Sequence, residues 1–121
     1  MSNSYARGQK DTRPWGTWEV VDCGETYCVK KIVVTPGNIL SLQSHDHRNE
    51  HWIIVSGEAT VTLGDRVLLR RADEAVYIPA GTKHRIANDG KEDMCFIEVQ
   101  TGEKLDENDI VRYEDKYGRS K

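Results

Sequence analysis

Gly37 and Gly57 bracket the stretch that most constrains this chain: G-NILSL-Q-S-H-DHRN-E-HWIIVS-G. It concentrates one Gln, three His and one Glu among residues that favour strands. Side chains alternate along a strand, so residues 39, 41, 43 and 45 share one face. Gln43 and His45 therefore project together, and His47 joins them if the strand continues. A second stretch, D-EAVYI-P-A-G-TK-H-RIA-N from Asp73 to Asn88, delivers His84 just after a tight Pro79-Ala80-Gly81 turn. A fold that serves both stretches must bring strand ends together around a shared polar centre.

The rest of the chain also reads as strands. TWEVVD and YCVKKIVVT are rich in Val, Ile, Thr and aromatic residues, with a Gly24 turn between them. Pro36-Gly37 and Gly64-Asp65 mark further turns, RVLLRR follows the second, and DMCFIEVQ places Phe96, Glu98 and Gln100 on one face and Ile97 and Val99 on the other. Many short strands with frequent turns, and no long amphipathic helix, predict a barrel or sandwich. At 121 residues the chain makes one domain. A mobile tail is expected over residues 1–12, with the domain over 13–119. The charged C-terminal segment packs back as a strand or against a partner, and Asp106 caps a short turn before Ile110.

Composition excludes several classes. A net charge of −3 gives no electrostatic basis for binding nucleic acid. The apolar runs near Ile53 and Val67 are too short to span a membrane, and the first residues have no apolar core of a secretory signal. A cytoplasmic protein is expected, with Cys23, Cys28 and Cys95 as reduced thiols, although Cys23 and Cys28 flank a turn and would face one another.

The two stretches together resemble the paired motifs of the cupin family. Gly37, Gln43, His45, Glu50 and Gly57 fit the first motif, with Gln43 where a His is usual. Pro79, Gly81, His84 and Asn88 fit the second, which opens on Asp73 in place of the usual Gly. The runs LSLQSHDHRNEHWIIVSG, YIPAGTKHRIAN and IEVQTGEKLDENDIVRYEDKYGR further resemble the mannose-6-phosphate isomerase domain of the type II family, over roughly Arg13 to Arg119. That resemblance implies an all-β fold, a single cupin barrel (double-stranded β-helix or jelly roll). In that family the domain usually follows a sugar-1-phosphate nucleotidyltransferase domain. This chain has no Gly-rich nucleotide loop, so that activity is not carried over.

The resemblance also implies a divalent metal on Gln43, His45, Glu50 and His84, with Zn²⁺ first and Mn²⁺, Fe²⁺, Co²⁺ or Ni²⁺ compatible with such N and O donors. His47 is an alternative to Gln43: imidazole is the better ligand, whereas the spacing to Glu50 favours Gln43. The activity implied is interconversion of mannose 6-phosphate and fructose 6-phosphate through an enediol. Such a reaction needs a Lewis acid, a base and a phosphate clamp. His47 and then Glu98 are the candidate bases. Arg48, Lys83 and Arg85 are the candidate phosphate ligands, with Arg13 and Arg119 as further ones. Trp52 lines the cavity or packs in the core, and His51 points to the opposite face. The other readings are a non-catalytic sugar-binding module and an Fe²⁺ oxygenase using the same residues. A sugar phosphate is the expected partner, and the chain is expected to be a homodimer.

Overall fold

The computed structural model describes residues 2–3, 5–106 and 108–115. Among them the elements are all strands. In chain order they are β1 (Ser2–Asn3), β2 (Lys10–Arg13), β3 (Gly16–Cys23), β4 (Tyr27–Val34), β5 (Leu42–Ser44), β6 (Asn49–Ser56), β7 (Glu58–Leu63), β8 (Arg66–Arg71), β9 (Ala75–Ile78), β10 (His84–Ala87), β11 (Met94–Thr101), β12 (Lys104–Leu105) and β13 (Val111–Glu114).

Two antiparallel sheets face one another. One has six strands in the order β2-β3-β4-β11-β6-β9, the other five in the order β13-β5-β10-β7-β8. A short parallel pair joins β1 to β12, the segment that follows β11. The expected cupin barrel is the observed architecture.

Alternation explains the layering. Along β11 every second residue is buried, so Met94, Phe96, Glu98 and Gln100 face inward, as the sequence predicts. Trp52 and Ile54 of β6, Ile32 and Val34 of β4, Ile86 of β10 and Val61 of β7 complete the apolar interior. Removing such side chains from water is the main force closing the barrel. The same alternation exposes Ile53, Val55 and Tyr77 on the outer face of the six-stranded sheet.

Two turns are tightly constrained. Gly57 has φ +81°, and a Cβ there would lie 2.9 Å from the Asp93 carbonyl oxygen and the Met94 Cα. Only glycine fits between β6 and β7 at that approach. Asp73, where the second motif usually opens on Gly, also takes the left-handed conformation at φ +73°. Asp is among the few side-chain-bearing residues that tolerate it, and the Asp73 amide donates to the Ile54 carbonyl at 2.8 Å. The departure from the motif leaves the turn in place.

The tail expected over residues 1–12 differs from what is found. From Tyr5 onward the segment belongs to the fold: Tyr5 is buried against Trp18, and Lys10–Arg13 pairs with β3. At the other end Val111–Glu114 does pack back, pairing with β5. Arg119 lies outside the described residues. Cys23 and Cys28 are register partners across the β3–β4 turn, and both are free thiols. Burial pushes the Cys28 thiol up to about 12, so it behaves as an apolar core residue.

Candidate functional site

The two motifs meet inside the barrel. Glu50 enters from β6, His84 from β10, and His45 from just beyond β5. β5 and β10 are neighbours with Gln43 opposite His84, so both motifs contribute adjacent strands. All three of His45, Glu50 and His84 are buried, and their donor atoms lie within 4.8 Å of one another.

Each imidazole is fixed in one tautomer. His45 Nδ1 lies 2.6 Å from the Asp109 carbonyl oxygen, and His84 Nδ1 lies 2.9 Å from that of Thr82. A carbonyl oxygen only accepts, so each Nδ1 carries a proton, and the Nε2 of the neutral ring keeps its lone pair for a hydrogen-bond donor or a metal. Those Nε2 atoms point toward Glu50, at 3.2 Å from Oε2 for His45 and 3.9 Å from Oε1 for His84. Backbone partners behind metal-binding imidazoles commonly fix orientation in this way. The donor set therefore fits a divalent ion. Gln43 lines the same cavity and donates through Nε2 to the Ser41 carbonyl and hydroxyl.

Electrostatics act strongly on His45, Glu50 and the neighbouring Glu98. Burial lowers His45 to about 4, with Arg48 and His84 adding to the effect and Glu50 opposing it. Burial alone would raise Glu50, but Arg48, His45 and His84 outweigh it and hold that carboxylate well below its usual range. Glu98 goes the other way: burial, then the charge of Glu50, raise it to about 8. Two neighbouring buried carboxyls are thus pushed in opposite directions. Trp52 links them, its Nε1–H donating to Glu50 Oε1 at 3.0 Å and Glu98 Oε1 at 3.1 Å. Gln100 Nε2 supports Glu98 Oε2 at 2.8 Å.

A cavity opens in front of the cluster. Its lining includes five cationic side chains, Arg13, Lys30, Arg48, Arg85 and Arg112, against two carboxylates, Glu50 and Glu98. All three tryptophans of the chain, Trp15, Trp18 and Trp52, also line it. Lys30 is buried with Nζ over the rings of Tyr5 and Trp18, at 4.2 and 4.4 Å.

Several expected residues stand elsewhere. His47 is exposed and borders a surface hollow with Lys104, so it is neither a member of the cluster nor a base beside it. The reason is local. β5 ends at Ser44, and the Asp109 carboxylate then accepts the backbone N–H groups of Asp46 and His47 at 3.0 and 2.9 Å, turning the chain outward. Arg48 is buried rather than free at the mouth: its Nε donates to Glu50 Oε2 at 2.9 Å. Lys83 is exposed, with Nζ 4.2 Å over the Tyr113 ring and off the cavity. Arg85 does reach the cavity lining, while bonded to Glu114 and the Leu40 carbonyl. Trp52 lines the cavity, and His51 is exposed on the opposite face. Lys30, which reads with Lys31 as a solvated strand face, is instead buried on β4. Arg112 and Asp109 were not singled out by sequence: they come from β13 and the segment before it, and no local spacing ties them to the motifs.

The family described as mannose-6-phosphate isomerase C-terminal matches residues 2–115. The chain belongs to that family.

Among curated relatives, xanthan biosynthesis protein XanB of Xanthomonas campestris pv. campestris (strain B100) is 54% identical over 112 residues, covering 93% of this chain and 24% of that protein. Mannose-1-phosphate guanylyltransferase ManC of Salmonella typhimurium is 50% identical, covering 88% and 22%. Alginate biosynthesis protein AlgA of Pseudomonas aeruginosa is 48% identical, covering 95% and 25%. The chain thus spans about a quarter of the length of these relatives. Among solved structures, oxalate decarboxylase of Lactobacillus farciminis aligns with a TM-score of 0.75 at 21% identity, over 86% of this chain and 33% of that one. A Klebsiella pneumoniae protein with a double-stranded β-helix domain aligns with a TM-score of 0.71 at 21% identity, over 92% and 84%. At that identity these two establish the cupin fold alone.

The relatives correct the isomerase reading. Those whose names state a reaction are mannose-1-phosphate guanylyltransferases, which are nucleotidyl-transferring enzymes rather than isomerases. Motif spacing identifies a barrel and its polar centre, and neither property specifies a reaction. Among the described residues no helix is long and apolar enough to cross a membrane.

Proposed function

We propose that this chain is a non-catalytic cupin module that binds a phosphorylated sugar of the mannose 1-phosphate kind. The cavity's charge balance carries this reading. Five cationic side chains line it against two carboxylates; Arg13, Arg48 and Arg85 are ion-paired with Asp11, Glu50 and Glu114, and Glu98 is raised to about 8. Such a cavity favours an anion, and guanidinium groups suit phosphate oxygens. Trp15, Trp18 and Trp52 offer flat apolar faces of the kind that pack against sugar rings. The names of the mannose-1-phosphate guanylyltransferase relatives supply the sugar.

A divalent ion on His45, Glu50 and His84, with Gln43 nearby, belongs to the same proposal, and Zn²⁺ is the first to test. When bound, it would supply a Lewis-acidic contact for sugar oxygens. This chain's own residues orient the donors and supply positive charge.

We also propose that two copies pair through the outer face of the six-stranded sheet, where Ile53, Val55 and Tyr77 are exposed; a monomer by light scattering at high concentration would remove that pairing.

Calorimetric titration tests the main reading. Mannose 1-phosphate should bind at least about tenfold more tightly than mannose, a difference of about 1.4 kcal/mol. Equal affinity for the two sugars would overturn the phosphate assignment, and turnover of the bound sugar phosphate would overturn the non-catalytic one.

A further inference from the structure

We propose that Arg48 is the built-in counter-cation of the His45–Glu50–His84 cluster, and that a divalent ion binds there only by displacing its guanidinium. The proposal rests on the metal part of the reading above.

The argument starts from the lone pairs. His45 Nδ1 carries its proton toward the Asp109 carbonyl, so Nε2 has a single in-plane lone pair and no hydrogen. Glu50 Oε2 lies 3.2 Å from that nitrogen. Two acceptors facing each other at this distance, both buried, require a cation or a proton to hold them together. Arg48 meets that requirement. Its Nη2 lies 3.2 Å from His45 Nε2, and its Nε donates to Glu50 Oε2 at 2.9 Å. One planar guanidinium thus spans the two donors that a metal ion would share.

The two occupants exclude each other. His45 Nε2 has one lone pair, and a hydrogen bond from Nη2 uses it. A guanidinium left in place would also set a positive charge beside a divalent ion at low dielectric. Arg48 is itself anchored: Nη1 donates to the Tyr5 hydroxyl and the Asp106 carbonyl, both at 3.3 Å. Releasing it breaks these bonds as well. Arg48 also lines the cavity, so space for the released side chain lies directly in front of it.

The consequence is a metal affinity set below what three such donors would otherwise give. Hydrogen bonds to charged groups are worth enough that removing the competitor should tighten binding by about tenfold or more. The test is titration of the wild type and of Arg48→Leu, which offers neither donor nor ligand, with Co²⁺ alone, followed by its visible absorption and by calorimetry. The expected result is tighter Co²⁺ binding by the variant, abolished when His45→Ala is added. Equal or weaker binding by a folded variant overturns the role of Arg48 while leaving the metal site standing. No binding by either protein overturns both.

A second measurement needs no variant. In ¹⁵N-labelled wild type titrated with Zn²⁺, the Arg48 Nε–H resonance should shift or be lost to exchange in step with the imidazole resonances of His45. Imidazole shifts with an unmoved Arg48 resonance would contradict displacement, whether or not Arg48→Leu folds.

Discussion

Two arginine–carboxylate pairs in this barrel have almost the same length and different surroundings. Arg48–Glu50 spans 2.9 Å with side chains 7% and 2% exposed, whereas Arg85–Glu114 spans 3.0 Å with side chains 17% and 67% exposed. The inner pair sits in a network with His45, Trp52 and Tyr5, and the outer pair joins the end of β10 to β13 at the rim. Distance therefore does not set what such a pair is worth. Water screens the outer charges, while the inner ones depend on each other and on His45, Trp52, Tyr5 and the Asp106 carbonyl. The same contrast separates His45 from His47, two residues apart, one locked by Asp109 and the other exposed.

The largest effect that would sharpen this contrast is removal of Glu50. Glu50→Ala leaves the Arg48 guanidinium buried without its carboxylate, and breaking one side of such a pair costs about 3–5 kcal/mol. Chemical denaturation should register that loss, and a change under about 1 kcal/mol would mean that water reaches Arg48 and the inner network is not sealed.

Acid comes next. His45 is depressed in the fold to about 4 from an ordinary 6.5, so its contribution is complete above pH 6.5. As pH falls from there toward 4, the unfolded chain takes up a proton that the folded chain refuses, and stability drops, by roughly 3 kcal/mol once below the folded value. Glu98 acts in the opposite sense: raised from 4.5 to about 8, its contribution is complete below pH 4.5 and fades as pH rises toward 8. Because Glu98 gains stability over the same range, the check on His45 is a difference between proteins: in urea unfolding at pH 7 and pH 4.5, acidification should favour His45→Asn over the wild type by about 2–3 kcal/mol. The same pH dependence in both proteins would assign the effect to other groups.

The smallest effects belong to the rim. Arg85→Gln removes a screened pair and should cost no more than about 1 kcal/mol, and His47→Ala, at an exposed position, should stay within about 0.5 kcal/mol. Thermal unfolding of the two variants beside Glu50→Ala gives the comparison directly. A rim variant as damaging as the inner one would remove the distinction between the regions.

Much of the fold was legible because alternation is a local rule. Phe96, Glu98 and Gln100 face inward as their spacing requires, and the two motifs converge because β5 and β10 are neighbours. Alternation failed at His47, since extending it past His45 assumed a strand that ends at Ser44. What ends it is Asp109, remote in sequence and brought in by the return of the C-terminal segment. The sequence offers Arg48 as a candidate phosphate ligand, and nothing local to it signals burial. Its burial depends on Glu50, Tyr5 and Asp106, which only the folded chain assembles. Arg112 was missed for the same reason, and Lys30 reads as a solvated strand-face charge although Tyr5 and Trp18 cover it in the fold. The reaction was the least legible property, because the residues that make a cupin cavity are shared by proteins that do different things.

Every tryptophan of the chain lines the cavity, so a ligand entering it must alter the emission of at least one of them. Fluorescence titration with mannose 1-phosphate is therefore the most direct test of the cavity as a binding site for an anionic sugar. The account predicts a saturable change in emission, weaker with mannose at equal concentration. Emission unchanged by mannose 1-phosphate up to millimolar concentration would contradict it.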